Sequence, residues 1–147
     1  MFALCVDDEK LPLQALVSAV KRSPDIHGVA AFEDEREALQ WAETNAFDIA
    51  FLDIQLHDMT GLELARRLSA RHPRAAIVFY TGYTQYAVEA LAMHIDAGYV
   101  VKPCRPAQVQ AEIDHAKRRL GDAKRLTVIC FGPFEVYDED QPLRFNR

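Results

Sequence analysis

From Phe2 to Leu120 the chain alternates between short apolar runs that favour strands and longer stretches with helical spacing. The first run is FALCV (Phe2–Val6), and a helix opens near Lys10 with Pro12 tolerated in its first turn. HGVAAF (His27–Phe32) precedes a helix over Asp34–Asn45. FDIAFLD (Phe47–Asp53) precedes a helix from Gly61 to about Arg71, with Leu62, Leu64, Ala65 and Leu68 on one stripe. AAIVFYT (Ala75–Thr81) leads to a helix over Gln85–His94, and AGYVVK (Ala97–Lys102) leads to a helix over Pro106–Leu120. Parallel strands need crossover connections, and here every crossover is long enough for a helix. The expectation is an α/β fold, a doubly wound five-stranded parallel sheet with helices on both faces.

Composition agrees with a packed domain. Half of the residues are hydrophobic and 27% are charged, which excludes a disordered or fibrous chain. The opening MFALCVDDEK is acidic where a secretory signal would be apolar, and no apolar stretch is long enough for a membrane span, so a cytoplasmic location without membrane contact is expected. The net charge, 17 − 22 = −5, argues against a nucleic-acid surface built from the whole chain. The one basic cluster, Lys117, Arg118, Arg119, Lys124 and Arg125, reads as the basic end of a helix and a solvated linker. Cys5, Cys104 and Cys130 lie in no metal-ligand spacing and read as structural thiols.

After Gly121 the pattern changes. LTVICF, FEVYD and PLRF are strand-like pieces separated by Gly-Pro and by an acidic turn, with no helix between them. The expected organisation is a domain over 1–121, a linker over 122–125, and the antiparallel opening of a second domain over 126–147.

In a doubly wound sheet ligands bind outside the carboxyl ends of the strands. Asp7 and Asp8 follow the first strand, Asp53 ends the third, Thr81 the fourth and Lys102 the fifth. Each alone reads as a cap or turn former, but together they bring carboxylates, a hydroxyl and an ammonium to one rim. Clustered carboxylates repel one another unless a cation sits between them, and a hard divalent ion such as Mg2+ suits oxygen ligands. Metal, ammonium and hydroxyl together match the needs of a phosphoryl group. No glycine-rich phosphate loop is present, which leaves a carboxylate as the acceptor.

Four motifs, VDDE (Val6–Glu9), FLDIQLHDMTGLEL (Phe51–Leu64), FYTGY (Phe79–Tyr83) and AGYVVKP (Ala97–Pro103), resemble those of the receiver domain of two-component response regulators. The resemblance covers Met1 to Leu120 and implies a flavodoxin-like sheet. It also implies that Asp53 is the phosphoacceptor and that Asp8 holds Mg2+ directly, Asp7 through water and Gln55 through its backbone carbonyl. Thr81 and Lys102 would contact the phosphoryl oxygens, and Tyr99 matches the switch aromatic of the family. A sensor histidine kinase is the implied donor. Homodimerisation is expected through the last helix, the last receiver strand and the helix before it. Leu126–Arg147 resembles the first strands of the winged-helix effector of antibiotic-regulatory-protein transcriptional activators. DNA contact is therefore expected only through a remainder of that domain beyond Arg147.

One departure stands out: the family usually has proline four residues after the phosphorylated aspartate, and here that residue is His57, which by itself reads as an exposed loop histidine. The implied function is a transcriptional response regulator that catalyses only its own phosphorylation and dephosphorylation. Two rivals remain at this point. One is a stand-alone receiver acting by protein binding. The other is a Mg2+-dependent phosphotransferase working through an aspartyl-phosphate, which would be expected to carry an acid where Gln55 stands.

Overall fold

The computed structural model describes residues 1–82, 97–126, 135–138 and 141–144. Five strands form one parallel sheet: β1 (Phe2–Val6), β2 (Gly28–Phe32), β3 (Ile49–Leu52), β4 (Ala76–Thr81) and β5 (Ala97–Val101), in the order β2-β1-β3-β4-β5. The helices are α1 (Lys10–Lys21), α2 (Glu35–Thr44), α3 (Gly61–Arg71) and α4 (Pro106–Leu126). The helix expected over Gln85–His94 lies outside the described residues.

Strand periodicity sorts the buried side chains into two cores. Leu4, Val6, Ala50, Leu52, Ile77 and Phe79 pack with Ala38 and Ala42 of α2 and the Leu62–Leu68 stripe of α3. The intervening residues Cys5, Phe51, Val78, Tyr80 and Val100 face the opposite way. They pack with Leu13, Leu16 and Val20 of α1 and Val109, Ile113 and Ala116 of α4. Every residue of β3 and β4 is buried, as continuous apolar runs in a sheet covered on both sides require. Cys5 is a buried core thiol, and its burial pushes the thiol pKa up, out of the reactive range.

Local signals set the helix starts. Asp34 caps α2 by accepting from the backbone N–H groups of Arg36 (2.7 Å) and Glu37 (3.2 Å), and Thr60 caps α3 by accepting from Glu63 (3.2 Å). At α1 the capping position belongs to Glu9, not Asp8, and no side chain caps it. Asp7 Oδ1 instead accepts from the Glu9 N–H at 2.9 Å, which turns the chain into the helix.

The last helix corrects the expected boundary. It does not end at Leu120 but runs through Gly121 to Leu126, so residues 122–125, expected as a linker, are helical. One glycine in a helix costs about 1 kcal/mol, a small penalty beside good helix formers such as Ala123, Lys124, Arg125 and Leu126. The basic cluster therefore lies along α4, where Lys117 pairs with Asp25 at 2.8 Å, beside the Gln110 contact to the same carboxylate. Beyond it, β6 (Glu135–Asp138) and β7 (Gln141–Arg144) pair antiparallel, in keeping with the strand character of FEVYD and PLRF. LTVICF after Leu126, with Cys130, lies outside the described residues. No helix among the described residues is long and apolar enough to cross a membrane.

Candidate functional site

Register builds the site. Val6 of β1 pairs with Leu52 of β3, and the Asp53 N–H donates to the Val6 carbonyl at 2.9 Å, so Asp7 and Asp53 leave adjacent strand ends side by side. Asp7, Asp53 and Lys102 continue the alternation of Cys5, Phe51 and Val100, which share one core face. Three residues from distant parts of the chain thus emerge with the same parity.

The contacts match that parity. Lys102 Nζ lies 2.7 Å from Asp7 Oδ2 and 3.0 Å from Asp53 Oδ2, and its charge sits over the Tyr80 ring, 5.1 Å from the centroid. The Gln55 N–H donates to Asp53 Oδ1 at 3.3 Å. Asp7 is fully buried and Asp53 nearly so, while Asp8 and Lys102 retain side-chain exposures of 16% and 20% toward solvent. Thr81 is fully buried at the end of β4, and its carbonyl accepts from the Lys102 N–H at 3.0 Å. Tyr99 is half-buried, beside Phe79 in the β4–β5 register.

The electrostatics follow from this packing. Burial raises the Asp53 carboxyl pKa, and the Lys102 ammonium opposes without cancelling that effect. Burial works against the charge on Lys102 as well, but the Asp7 and Asp53 carboxylates outweigh it and hold the ammonium above its ordinary pKa. The Tyr99 hydroxyl is raised by burial and by the negative charge of Asp53, which places the ring within the field of that carboxylate.

One carboxylate oxygen each from Asp7, Asp8 and Asp53 lies within 4.8 Å of the others. Three carboxylates against one ammonium leave two uncompensated charges at this rim. Asp7 Oδ2 is completely buried and has the Lys102 charge as its sole compensation among the described residues. Hard oxygen donors with a surplus of two negative charges fit a divalent cation, so the cluster can hold a metal ion.

Residues 3–114 match the response regulator receiver domain. The chain belongs to this family. Over 123 residues the receiver is 32% identical to the sensory transduction protein LytT of Enterococcus faecalis, covering 84% of this chain and 50% of that one. Over 147 residues it is 29% identical to the transcriptional regulatory protein LytR of Staphylococcus aureus, covering 99% of this chain and 59% of LytR. The chain thus spans little more than half the length of these relatives. Among solved structures, the CheY-like receiver domain protein of Methanospirillum hungatei superposes with a TM-score of 0.70 at 26% identity, covering 80% of this chain and 94% of that one. The receiver is consistent in sequence and fold with a two-component response regulator, and receivers of this family are typically phosphoacceptor switches.

Two residues to which the sequence assigns no role in the site shape the loop after Asp53. Glu35, at the start of α2, is 1% exposed, and its Oε1 accepts from the backbone N–H groups of Asp58 and of Met59 (3.1 Å). In the sequence it is one acidic residue in a helix's first turn, where such residues are ordinary. Gly61 packs against the backbone at the other end of the loop. Its N–H donates to the Ile54 carbonyl at 2.7 Å, and a Cβ there would meet the Asp53 carbonyl oxygen at 2.0 Å. The sequence signal was available in the Thr60-Gly61 step before α3, but it reads equally as a helix start.

His57 is exposed, as read from sequence, yet its Nε2 lies 3.6 Å from Asp8 Oδ2 at the mouth of the acidic cluster.

Proposed function

We propose that Asp53 accepts a phosphoryl group from the phosphohistidine of a sensor histidine kinase, or from a small acyl-phosphate, and that the charge so gained switches the receiver. The observation that carries this reading is the Lys102 ammonium held between Asp7 and Asp53 beside the third carboxylate of Asp8. An Asp53 oxygen forms the bond to phosphorus as the P–N bond to the donor histidine breaks, and the released imidazole retains or takes up a proton. Asp8, Asp53 and the Gln55 carbonyl, with Asp7 through water, would hold Mg2+, and the ion would supply neutralisation of phosphoryl oxygen charge. Lys102 turns its ammonium from Asp53 to a phosphoryl oxygen, and the Thr81 hydroxyl donates to another. Water later attacks phosphorus, inorganic phosphate leaves, and Asp53 is regenerated. The chain thus catalyses only its own modification.

Phosphorylation adds close to two negative charges. Movement of Thr81 toward them frees space for the Tyr99 ring to turn inward, which alters the face carrying β5 and α4. That face, with the segment Gln85–His94, is the proposed surface for a second receiver. Residues 1–121 form the receiver, and 126–147 open an output domain of the winged-helix, antibiotic-regulatory-protein type, with DNA bound only through the remainder of that domain. The antiparallel β6–β7 pair and relatives named as transcriptional regulators support this assignment. The cytoplasm, where a kinase phosphohistidine is accessible, is the proposed location.

Intact mass after treatment with acetyl phosphate and Mg2+ tests the acceptor. The parent should gain one phosphate and Asp53→Ala none; uptake by the variant at the parent's rate would remove Asp53 from the role.

A further inference from the structure

We infer that Glu35 is a positioning residue for the metal site: its buried carboxylate pins the loop that follows Asp53 and so sets where the Gln55 carbonyl stands toward the ion. The inference rests on the Mg2+ reading above and names a residue outside the acidic cluster that controls how well the cluster binds.

The place of the carboxylate is the first ground. Glu35 opens α2, whose start is already capped by Asp34, so the helix does not need its side chain. A first-turn acid ordinarily stays in water. Glu35 is instead 1% exposed, and its Oε1 accepts from the N–H groups of Asp58 and Met59. Taking a charge out of water is costly unless donors replace the water. Both of these donors belong to one loop, so the carboxylate and the loop conformation support each other.

The poverty of other anchors in the loop is the second ground. Residues 54–60 contain no proline to fix the backbone, and Ile54 is the one buried residue among them. The Arg36–Asp58 pair, at 3.2 Å, joins side chains that are both exposed, and such pairs contribute little. Gly61 closes the neck of the loop by donating to the Ile54 carbonyl at 2.7 Å. Between that neck and the amides held by Glu35 lie residues 55–57, so Gln55 is fixed from both sides. Asp7 and Asp53, by contrast, are set by the β1–β3 register, with the Asp53 N–H on the Val6 carbonyl at 2.9 Å. Glu35 therefore acts on the loop ligand and not on the acceptor carboxylate.

A ligand already in place loses less conformational entropy on binding than one the ion must order. Mg2+ demands near-octahedral placement of its few protein donors, so a loosened Gln55 carbonyl weakens binding. The acceptor and Lys102 are untouched. Loss of Glu35 should thus raise the Mg2+ concentration that phosphorylation needs and leave the rate at saturating Mg2+ near that of the parent.

The test titrates Mg2+ into the 147-residue chain, Glu35→Ala, Glu35→Gln, Asp8→Asn and Val20→Ala, read by amide shifts. Phosphate uptake from acetyl phosphate is followed by intact mass over the same Mg2+ range. Val20, on α1 in the core of the opposite face, supplies a destabilised control away from the loop. Glu35→Ala should lose about tenfold in Mg2+ affinity, as metal sites do when a partner behind a ligand is removed. Its uptake rate at saturating Mg2+ should stay within about twofold of the parent rate. Glu35→Gln keeps an acceptor oxygen but makes weaker, neutral hydrogen bonds, and should lose about threefold. Val20→Ala should bind Mg2+ as the parent does. Parent-like Mg2+ affinity in Glu35→Ala, or an equal loss in Val20→Ala, would overturn the role of Glu35. Those outcomes leave the Mg2+ reading standing if Asp8→Asn still weakens binding. Absence of any Mg2+ binding by the parent would overturn both.

Discussion

Lys102 Nζ stands 2.7 Å from Oδ2 of Asp7, an aspartate with no solvent exposure, reached from the opposite end of the receiver sequence. Before any phosphoryl group arrives, this ammonium is the positive charge that makes two adjacent buried carboxylates tolerable.

Lys102→Met should therefore destabilise the metal-free chain. Removing one member of a buried ion pair costs about 3 to 5 kcal/mol, and the partial exposure of Lys102 points to the lower end of that range. The same substitution removes a cation that repels an incoming metal, so Mg2+ should bind more tightly and restore more stability than it does in the parent. Thermal melts with and without Mg2+ measure both effects. A variant as stable as the parent without metal would show that Lys102 does not compensate the pair.

Glu35→Ala strips two loop amides of their acceptor. A hydrogen bond to a charged group contributes about 1.5 to 3 kcal/mol, and since these amides are only partly buried a loss near the lower end, about 2 kcal/mol, is expected. Hydrogen exchange should accelerate at residues 55–59 well beyond any change in α1. Glu35→Gln keeps an acceptor oxygen and should lose less. Uniform acceleration across the chain would reduce Glu35 to a general core contact.

Thr81→Ala separates acceptance from switching. Moving a two-state receiver from 1:99 to 99:1 takes about 5.5 kcal/mol, whereas a hydrogen bond to a charged group supplies about 1.5 to 3 kcal/mol. Lys102 and Tyr99 must share the rest. The variant should still gain phosphate at Asp53 but show only part of the parent's amide-shift response to beryllium fluoride in Ala97–Val101 and Gln85–His94. A complete response would mean that Thr81 does not couple the site to that face.

Glu63 gives a pH prediction away from the site. Hydrogen bonds from Arg66 and Arg67 hold its carboxyl down at about 2, below the ordinary 4.5. Because the folded value is the lower one, its contribution to α3 is complete above about pH 4.5 and fades as pH falls toward 2. The side-chain carboxyl carbon resonance should titrate with a midpoint near 2, and Arg66→Ala should raise that midpoint. A midpoint near 4.5 in the parent would show that the pair does not form in solution.

The sequence by itself determined the alternating parallel sheet and the residues at its carboxyl rim. Both are periodic or positional features: a run such as FALCV has a side-chain period of two, the Leu62–Leu68 stripe follows the helical period, and Asp53, Thr81 and Lys102 stand at the ends of such runs. The final extent of α4 was not legible, since Gly121 followed by an aspartate reads locally as a helix end, and only the continuous helix shows otherwise. Nor could local pattern show that Glu35 buries its carboxylate against amides 23 and 24 residues further on, that Lys102 bridges Asp7 and Asp53, or that His57 comes within 3.6 Å of Asp8. Those relationships were decided by tertiary structure, because strand register and loop packing bring together groups whose separation along the chain carries no periodic trace.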